Sequence, residues 1–242
     1  MKKLYIIKAG STFSSTLEAL GDFDDWIKTA LGTPKVPVEV VDIVQGSALP
    51  SSEECGGVIV TGSHAMVTDN LAWSLSIESW IPSLVGSGVP LLGICYGHQL
   101  LGRAMGGEVG YNPLGKEIGT VGISLTHEAE GDLLFRGIPS LFAAHTTHAQ
   151  SVLCLPPDAV VLARNSHDQH HAFRIGDCAW GVQFHPEYTA AVMQAYISAQ
   201  SKSLQRNGQN VERLLQEVTE TPFARKVLSN FAELVDDQQC SS

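Results

Sequence analysis

A cysteine stands between two glycines in Gly93-Ile94-Cys95-Tyr96-Gly97, where the apolar run Val89–Ile94 stops and a helical pattern begins. The spacing has the form of the nucleophile elbow Gly-x-Ser-x-Gly, with a thiol in place of the hydroxyl. A sharp strand-to-helix turn needs small residues on both sides, because the nucleophile's backbone is strained and the neighbouring chain passes close by. A thiol placed there meets the orphan N–H groups and the dipole of a helix N-terminus, which favour the thiolate. The alternative is a buried cysteine acting as a small hydrophobe, the commoner fate of a lone cysteine in an apolar stretch. The paired glycines weigh against it, since a plain core strand has no use for them.

Such a nucleophile needs a base, and the base needs an orienting group. Among nine histidines the best candidate is His185, in Gln183-Phe184-His185-Pro186-Glu187. Residues two apart on a strand point the same way, so His185 and Glu187 share a face if the extended chain persists past Pro186. Alone, a His-x-Glu pair is usually a surface ion pair. With the elbow it becomes a triad in which Cys95 attacks, His185 holds and moves the proton, and Glu187 fixes the imidazole. The N–H of Tyr96, the residue after the nucleophile, is positioned to donate to an oxyanion.

The elements that must position these groups are legible as alternating short apolar runs and longer helical patterns, the sequence form of βαβ units and a parallel sheet. Leu4–Ile7, Val38–Ile43, Val58–Val60 and Val89–Ile94 read as strands apolar on both parities, as expected when helices cover both faces. Thr16–Leu31, about Leu71–Val85 and Gly97–Met105 read as helices. After Gly107, Val121, Ile123 and Leu125 alternate with smaller residues, and antiparallel strands are expected. Ala172–Ile175 and Cys178–Phe184 read as a hairpin closed by Gly176-Asp177 through a II′ turn. Helices follow at Ala190–Ser201, Val211–Val218 and Pro222 to about Leu234, with a polar, fraying tail from Asp236 to Ser242. The division expected is one domain over residues 1–200 and a C-terminal helical extension over 201–242 packed on it.

Composition narrows the function further. The 242 residues are 44% hydrophobic and carry a formal charge of −10 with no basic cluster, which argues against nucleic acid and anionic membranes as partners. No stretch approaches the roughly 20 apolar residues that span a bilayer. The cysteines at 55, 95, 154, 178 and 240 form no Cys-x-x-Cys pair, so they read as reduced thiols of a cytoplasmic protein. Neither a metal nor a cofactor is expected. Asn165-Ser-His-Asp-Gln-His-His171 holds metal-ligand types but reads as a solvated turn, and Asp22, Asp24 and Asp25 as a solvated helix start. Trp73 and Trp80 read as one packing face of a helix.

The elbow and His185-Pro186-Glu187, ninety residues apart, resemble the class I (triad type) glutamine amidotransferases, and within them stand-alone members similar to the amidotransferase domain of GMP synthase. The resemblance runs from about Val58 to Tyr188. It implies a flavodoxin-like open sheet and hydrolysis of glutamine's side-chain amide through a γ-glutamyl thioester, releasing ammonia. Val60-Thr-Gly62-Ser-His64 is similar to the family's oxyanion loop, which makes the Gly62 N–H the second oxyanion donor. Gln99 matches the family glutamine that contacts the substrate. Gly106-Gly107, Asn112-Pro113 and Glu117-Ile118-Gly119 match positions read as structural. His145-Thr-Thr-His148-Ala149-Gln150 resembles the loop that holds the amino-acid end of glutamine, with Ala149-Gln150 where members that make guanylate often have Gly-Asp. His148 is there a ligand contact, or else a structural or solvent-exposed histidine.

Three functions follow from these readings. The first is a glutamine-hydrolysing enzyme that releases ammonia or passes it to a synthase partner. A γ-glutamyl peptidase or hydrolase acting on γ-glutamyl amides or peptides is the second. The third is a binding module whose triad aligns only when a partner docks.

Overall fold

The computed structural model describes residues 2–240. Its first part alternates strands and helices: β1 (Lys3–Lys8), α1 (Ser14–Leu20), α2 (Phe23–Leu31), β2 (Val38–Asp42), β3 (Cys55–Val60), α3 (Ala72–Gly86), β4 (Leu91–Ile94) and α4 (Tyr96–Ala104). A run of strands follows: β5 (Glu108–Tyr111), β6 (Glu117–Leu125), β7 (Leu141–His148), β8 (Gln150–Cys154), β9 (Val160–Arg164), β10 (Ala172–Ile175) and β11 (Ala179–Val182). The helices α5 (Ala190–Ala199), α6 (Ser201–Arg206), α7 (Val211–Gln216) and α8 (Pro222–Cys240) come last.

Nine strands make one sheet in the order β2-β1-β3-β4-β11-β10-β9-β6-β7, and β5 pairs separately with β8. The five strands from β2 to β11 run parallel, and from β11 outward each pairing is antiparallel. This is the flavodoxin-like open sheet with an appended antiparallel section. Along β1, Leu4 and Ile6 face a layer containing Ile27 of α2 and Phe231 of α8. Tyr5 and Ile7 face the opposite layer, with Ile77 and Ile81 of α3 and Leu100 of α4. Burial on both sides explains why these strands are apolar on both parities. Trp73 and Trp80 both pack on that second layer. A third cluster, including Phe23, Trp26, Tyr188, Tyr196 and Ile197, joins α2 to α5.

The helix read over Thr16–Leu31 is two helices. Gly21 turns the chain at φ 83°, and Asp22 starts α2 with a reciprocal capping box to Asp25. The aspartates at this start are not all solvated: Asp22 and Asp24 are buried and share the Lys8 ammonium at 2.8 and 2.9 Å. Burial alone would raise both carboxyl pKa values, but Lys8 and Lys28, with backbone donors at Asp22, lower them. The hairpin loop is one residue longer than read, because pairing resumes at Ile175–Ala179 and leaves Gly176, Asp177 and Cys178 in the turn. The loop at 165–171 is also no solvated turn, with Asp168 and His171 buried. Helix α8 continues past Leu234 to Cys240, and Asp236 on it accepts from the Lys35 amide at 3.0 Å. Only Ser241 and Ser242 of the tail expected to fray lie outside the described residues. Among the described residues no helix is long and apolar enough to cross a membrane.

Candidate active site

In an open parallel sheet, ligands bind in the crevice at the carboxyl ends of the strands. Here the crevice is a cavity of about 300 Å³ whose walls include Ser63, His64, Cys95, Tyr96, His148 and His185. β4 ends at Ile94, Cys95 turns the corner, and α4 begins at Tyr96. The Cys95 N–H donates to the Val182 carbonyl at 2.8 Å, which fixes the end of β4 to the end of its parallel neighbour β11. The chain leaving β11 thus arrives beside Cys95, and three residues later it reaches His185. The His185 N–H then donates to the His145 carbonyl at 2.8 Å, which locks this segment against β7.

Cys95 has φ 48° and ψ −93°, a conformation that an L-residue adopts only under strain. Both glycines of the elbow are required by close approach. A Cβ on Gly93 would fall 2.3 Å from the Gly97 carbonyl oxygen, and one on Gly97 would fall 2.4 Å from that of Val60. The helix therefore starts pressed directly onto β3 and β4, which aims its N-terminal amides at the crevice.

The imidazole of His185 is buried, and its Nδ1 lies 2.8 Å from Glu187 Oε1. Burial disfavours the charged imidazole, but the negative charges of Glu187 and Cys95 outweigh that and raise its pKa to about 10. The remaining nitrogen, Nε2, is buried and finds no hydrogen-bond partner among the described residues. The ring stacks on Tyr188 at 4.1 Å, so its plane is fixed on one face as well as by its carboxylate. His145 behind it is kept neutral, its pKa lowered to about 4 by burial and by the charge of His185.

Gly62 follows β3, and a Cβ there would lie 3.0 Å from His185 Cε1, so glycine lets this loop lie against the imidazole without crowding it. Among the described residues no backbone carbonyl accepts from the amides of Gly62 or Tyr96. Gln99 is buried on α4, its Nε2 donating to the Gln150 carbonyl at 2.7 Å and to Gln183 Oε1 at 3.0 Å. Gln150 donates through Nε2 to Thr68 at 2.6 Å, while its Oε1 is buried without a partner among the described residues. Ala149 and His148 also line the cavity. The ring nitrogens of His148 face the Gln150 carbonyl at 2.9 Å and Glu117 Oε2 at 3.0 Å.

Glu117, His148 and His171 bring metal-ligating atoms within 4.8 Å of one another. The Glu117 carboxylate is already engaged, by both histidines at Oε2 and by Asn165 at Oε1. Burial would raise its pKa, but the two imidazoles hold it far below the usual carboxylate range. The residue-by-residue reading missed Phe13, Lys116, Tyr196 and Gln200, all on the cavity wall. Lys116 had a sequence signal, as the neighbour of Glu117-Ile118-Gly119. Tyr196 and Gln200 had none, because they enter the site from α5 and from the residue that caps its C-terminal end, and their side-chain contacts come from distant segments. Tyr196 Oη lies 2.8 Å from Thr12 Oγ1 and 3.1 Å from His64 Nε2, which ties α5 to the loop after β3.

Residues 17–202 match the family model described as glutamine amidotransferase class-I. The chain belongs to the class-I glutamine amidotransferases. Among its relatives is the GMP synthase [glutamine-hydrolyzing] of Aeropyrum pernix, 36% identical over 152 residues that make up 63% of this chain and 27% of that one. Another is the gamma-glutamyl-L-1-hydroxyisopropylamide hydrolase of a Pseudomonas species, 27% identical over 199 residues, 78% of this chain and 64% of that one. This amidotransferase chain thus spans about a quarter of the first relative's length and under two thirds of the second's. A glutamine amidotransferase from Thermotoga maritima has the same fold, with a TM-score of 0.77 at 20% identity, covering 98% of this chain and 99% of that one.

Proposed function

We propose that this chain is a cysteine-dependent amidohydrolase that cleaves the side-chain amide of glutamine. The observation that carries the reading is a cysteine at positive φ on a strand-to-helix elbow, sharing one cavity with a histidine whose far nitrogen is held by a buried glutamate. Cys95 Sγ attacks the amide carbon, and the amides of Gly62 and Tyr96 donate to the oxyanion. His185 delivers its proton to the amide nitrogen, the C–N bond breaks, and ammonia leaves a γ-glutamyl thioester on Cys95. Water, losing a proton to His185, then adds to the thioester carbon, the C–S bond breaks, and glutamate departs. Glu187 holds the imidazole in one orientation throughout. Gln99, His148, Ala149 and Gln150 contact the glutamyl part. A separate synthase that takes up the ammonia is the partner this reading calls for, and a reducing cytoplasm is the compartment that suits a free nucleophilic thiol.

A second reading, hydrolysis of γ-glutamyl amides or peptides with larger leaving groups, is favoured by the wall beside His185. Phe13, Phe23, His64, Tyr188 and Tyr196 form a group of contacting rings there, apolar surface that ammonia cannot use. Wild-type and Cys95→Ala protein incubated with glutamine and with γ-glutamyl peptides distinguish the readings. Cys95-dependent ammonia from glutamine supports the first, and inert glutamine beside a cleaved peptide supports the second. Full activity of Cys95→Ala on any cleaved substrate would overturn both.

A further inference from the structure

Among the described residues, Lys116 is the one lysine or arginine on the wall of the candidate cavity, and no carboxylate side chain lines that wall. Its ammonium donates to the Gln200 side-chain oxygen, a neutral acceptor. Burial lowers its pKa, and the charge that opposes this effect is that of Cys95. Lys116 in turn adds to the burial that lowers the pKa of His64, so its charge reaches the loop after β3 as well as the nucleophile. Its backbone carbonyl accepts from Gln209 Nε2 at 3.1 Å. Gln200 and Gln209 belong to the C-terminal helical segment, and Gln209 lies beyond the residues that match the family model. A cation taken partly out of water is stable only when something of opposite charge meets it. Among the described residues of the cavity wall only the nucleophile Cys95 supplies such charge, and no carboxylate does, whereas an amino-acid substrate brings a carboxylate with it.

We propose that Lys116 is the anchor for a carboxylate on the amino-acid part of the substrate, a specificity-determining residue set in place by the C-terminal helices. The inference rests on the amidohydrolase reading and names the group by which that site distinguishes γ-glutamyl compounds from uncharged amides. Two carboxylates could fill the role: the α-carboxylate of the glutamyl part, or that of an amino acid being released.

The test measures kcat and KM of wild type, Lys116→Met and Lys116→Arg on glutamine, γ-glutamyl ethylamide and γ-glutamylalanine. Losing a hydrogen-bonded ion pair raises KM about 10- to 100-fold while kcat falls less, and arginine restores most of the loss. A penalty of equal size on all three substrates assigns the α-carboxylate. One confined to γ-glutamylalanine assigns the leaving amino acid. An unchanged KM for all three in a folded Lys116→Met protein overturns the proposal. Calorimetric titration of γ-glutamylalanine into Cys95→Ala and into Cys95→Ala/Lys116→Met keeps the two readings separate. If the wild type cleaves nothing in a Cys95-dependent way, the amidohydrolase reading fails by itself. Equal binding by the two titrated proteins, or binding by neither, then overturns the role of Lys116.

Discussion

At the scale of single residues, the arrangement around His185 predicts how activity responds to pH and to substitution. With the imidazole pKa raised to about 10 by Glu187 and Cys95 over the opposing effect of burial, the alkaline limb of kcat/KM should lie well above the ordinary value of 6.5. In Glu187→Gln that limb should move toward neutrality, with residual turnover above that of Cys95→Ala, since the amide still orients the ring but carries no charge. A pH–rate profile of both proteins checks this, and coincident limbs would contradict it. Gly97→Ala should destabilise the fold by about 3 kcal/mol, because the new methyl group meets the Val60 carbonyl rather than a movable side chain. Urea unfolding measures that loss. As candidates, Cys95, His185 and Glu187 were legible in the sequence because the proposed chemistry calls for small flanking residues and a two-residue spacing. Lys116 had a signal only as the neighbour of Glu117-Ile118-Gly119, and its setting in the cavity was not legible, since that depends on Gln200 and Gln209, more than eighty residues away in the chain.

At the scale of elements, the strands were the legible part, because burial on both faces leaves an unbroken apolar signature. The break between α1 and α2 was hidden by residues on both sides that suit a helix. Gly21 and the Asp22 capping box mark it, and capping is a local signal that a periodicity reading passes over. Asp22 also accepts from the Thr12 amide at 2.9 Å and pairs with Lys8, so it joins β1, the loop after it and α2. Asp22→Ala should therefore cost more than a solvated cap, about 2 kcal/mol or above by thermal unfolding. The turn of the β10–β11 hairpin was misjudged by one residue because Gly176-Asp177 suits both loop lengths, and the cross-strand register chooses between them. Helix α8 was placed correctly at its start by Pro222, whereas its packing on the sheet was not legible. Phe231, fully buried and edge-on to Trp180 of β11, is the measure of that packing, and Phe231→Ala should lose about 3–5 kcal/mol.

At the scale of the whole molecule, buried titratable groups set a window of stability. His98 and His145 have pKa values pushed down to about 3 and about 4, chiefly by burial, from an ordinary 6.5. The unfolded chain therefore takes up protons first, and stability declines as pH falls below about 6.5. Glu117, whose pKa its two imidazoles lower against the opposing effect of burial, adds a further decline as pH falls below its ordinary 4.5. His185 acts in the opposite sense: its contribution is complete below 6.5 and drains away as pH rises toward about 10. Tm measured from pH 4 to pH 10 should pass through a maximum near neutrality, and a Tm still climbing at pH 9 would contradict this. The elbow at Cys95 carries a consequence of another kind. Its backbone occupies a conformation that glycine adopts freely and cysteine does not, at an expense of about 1–3 kcal/mol. Cys95→Gly should melt later than the natural protein, so under the proposed chemistry the thiol is carried at a cost in stability that a glycine would return.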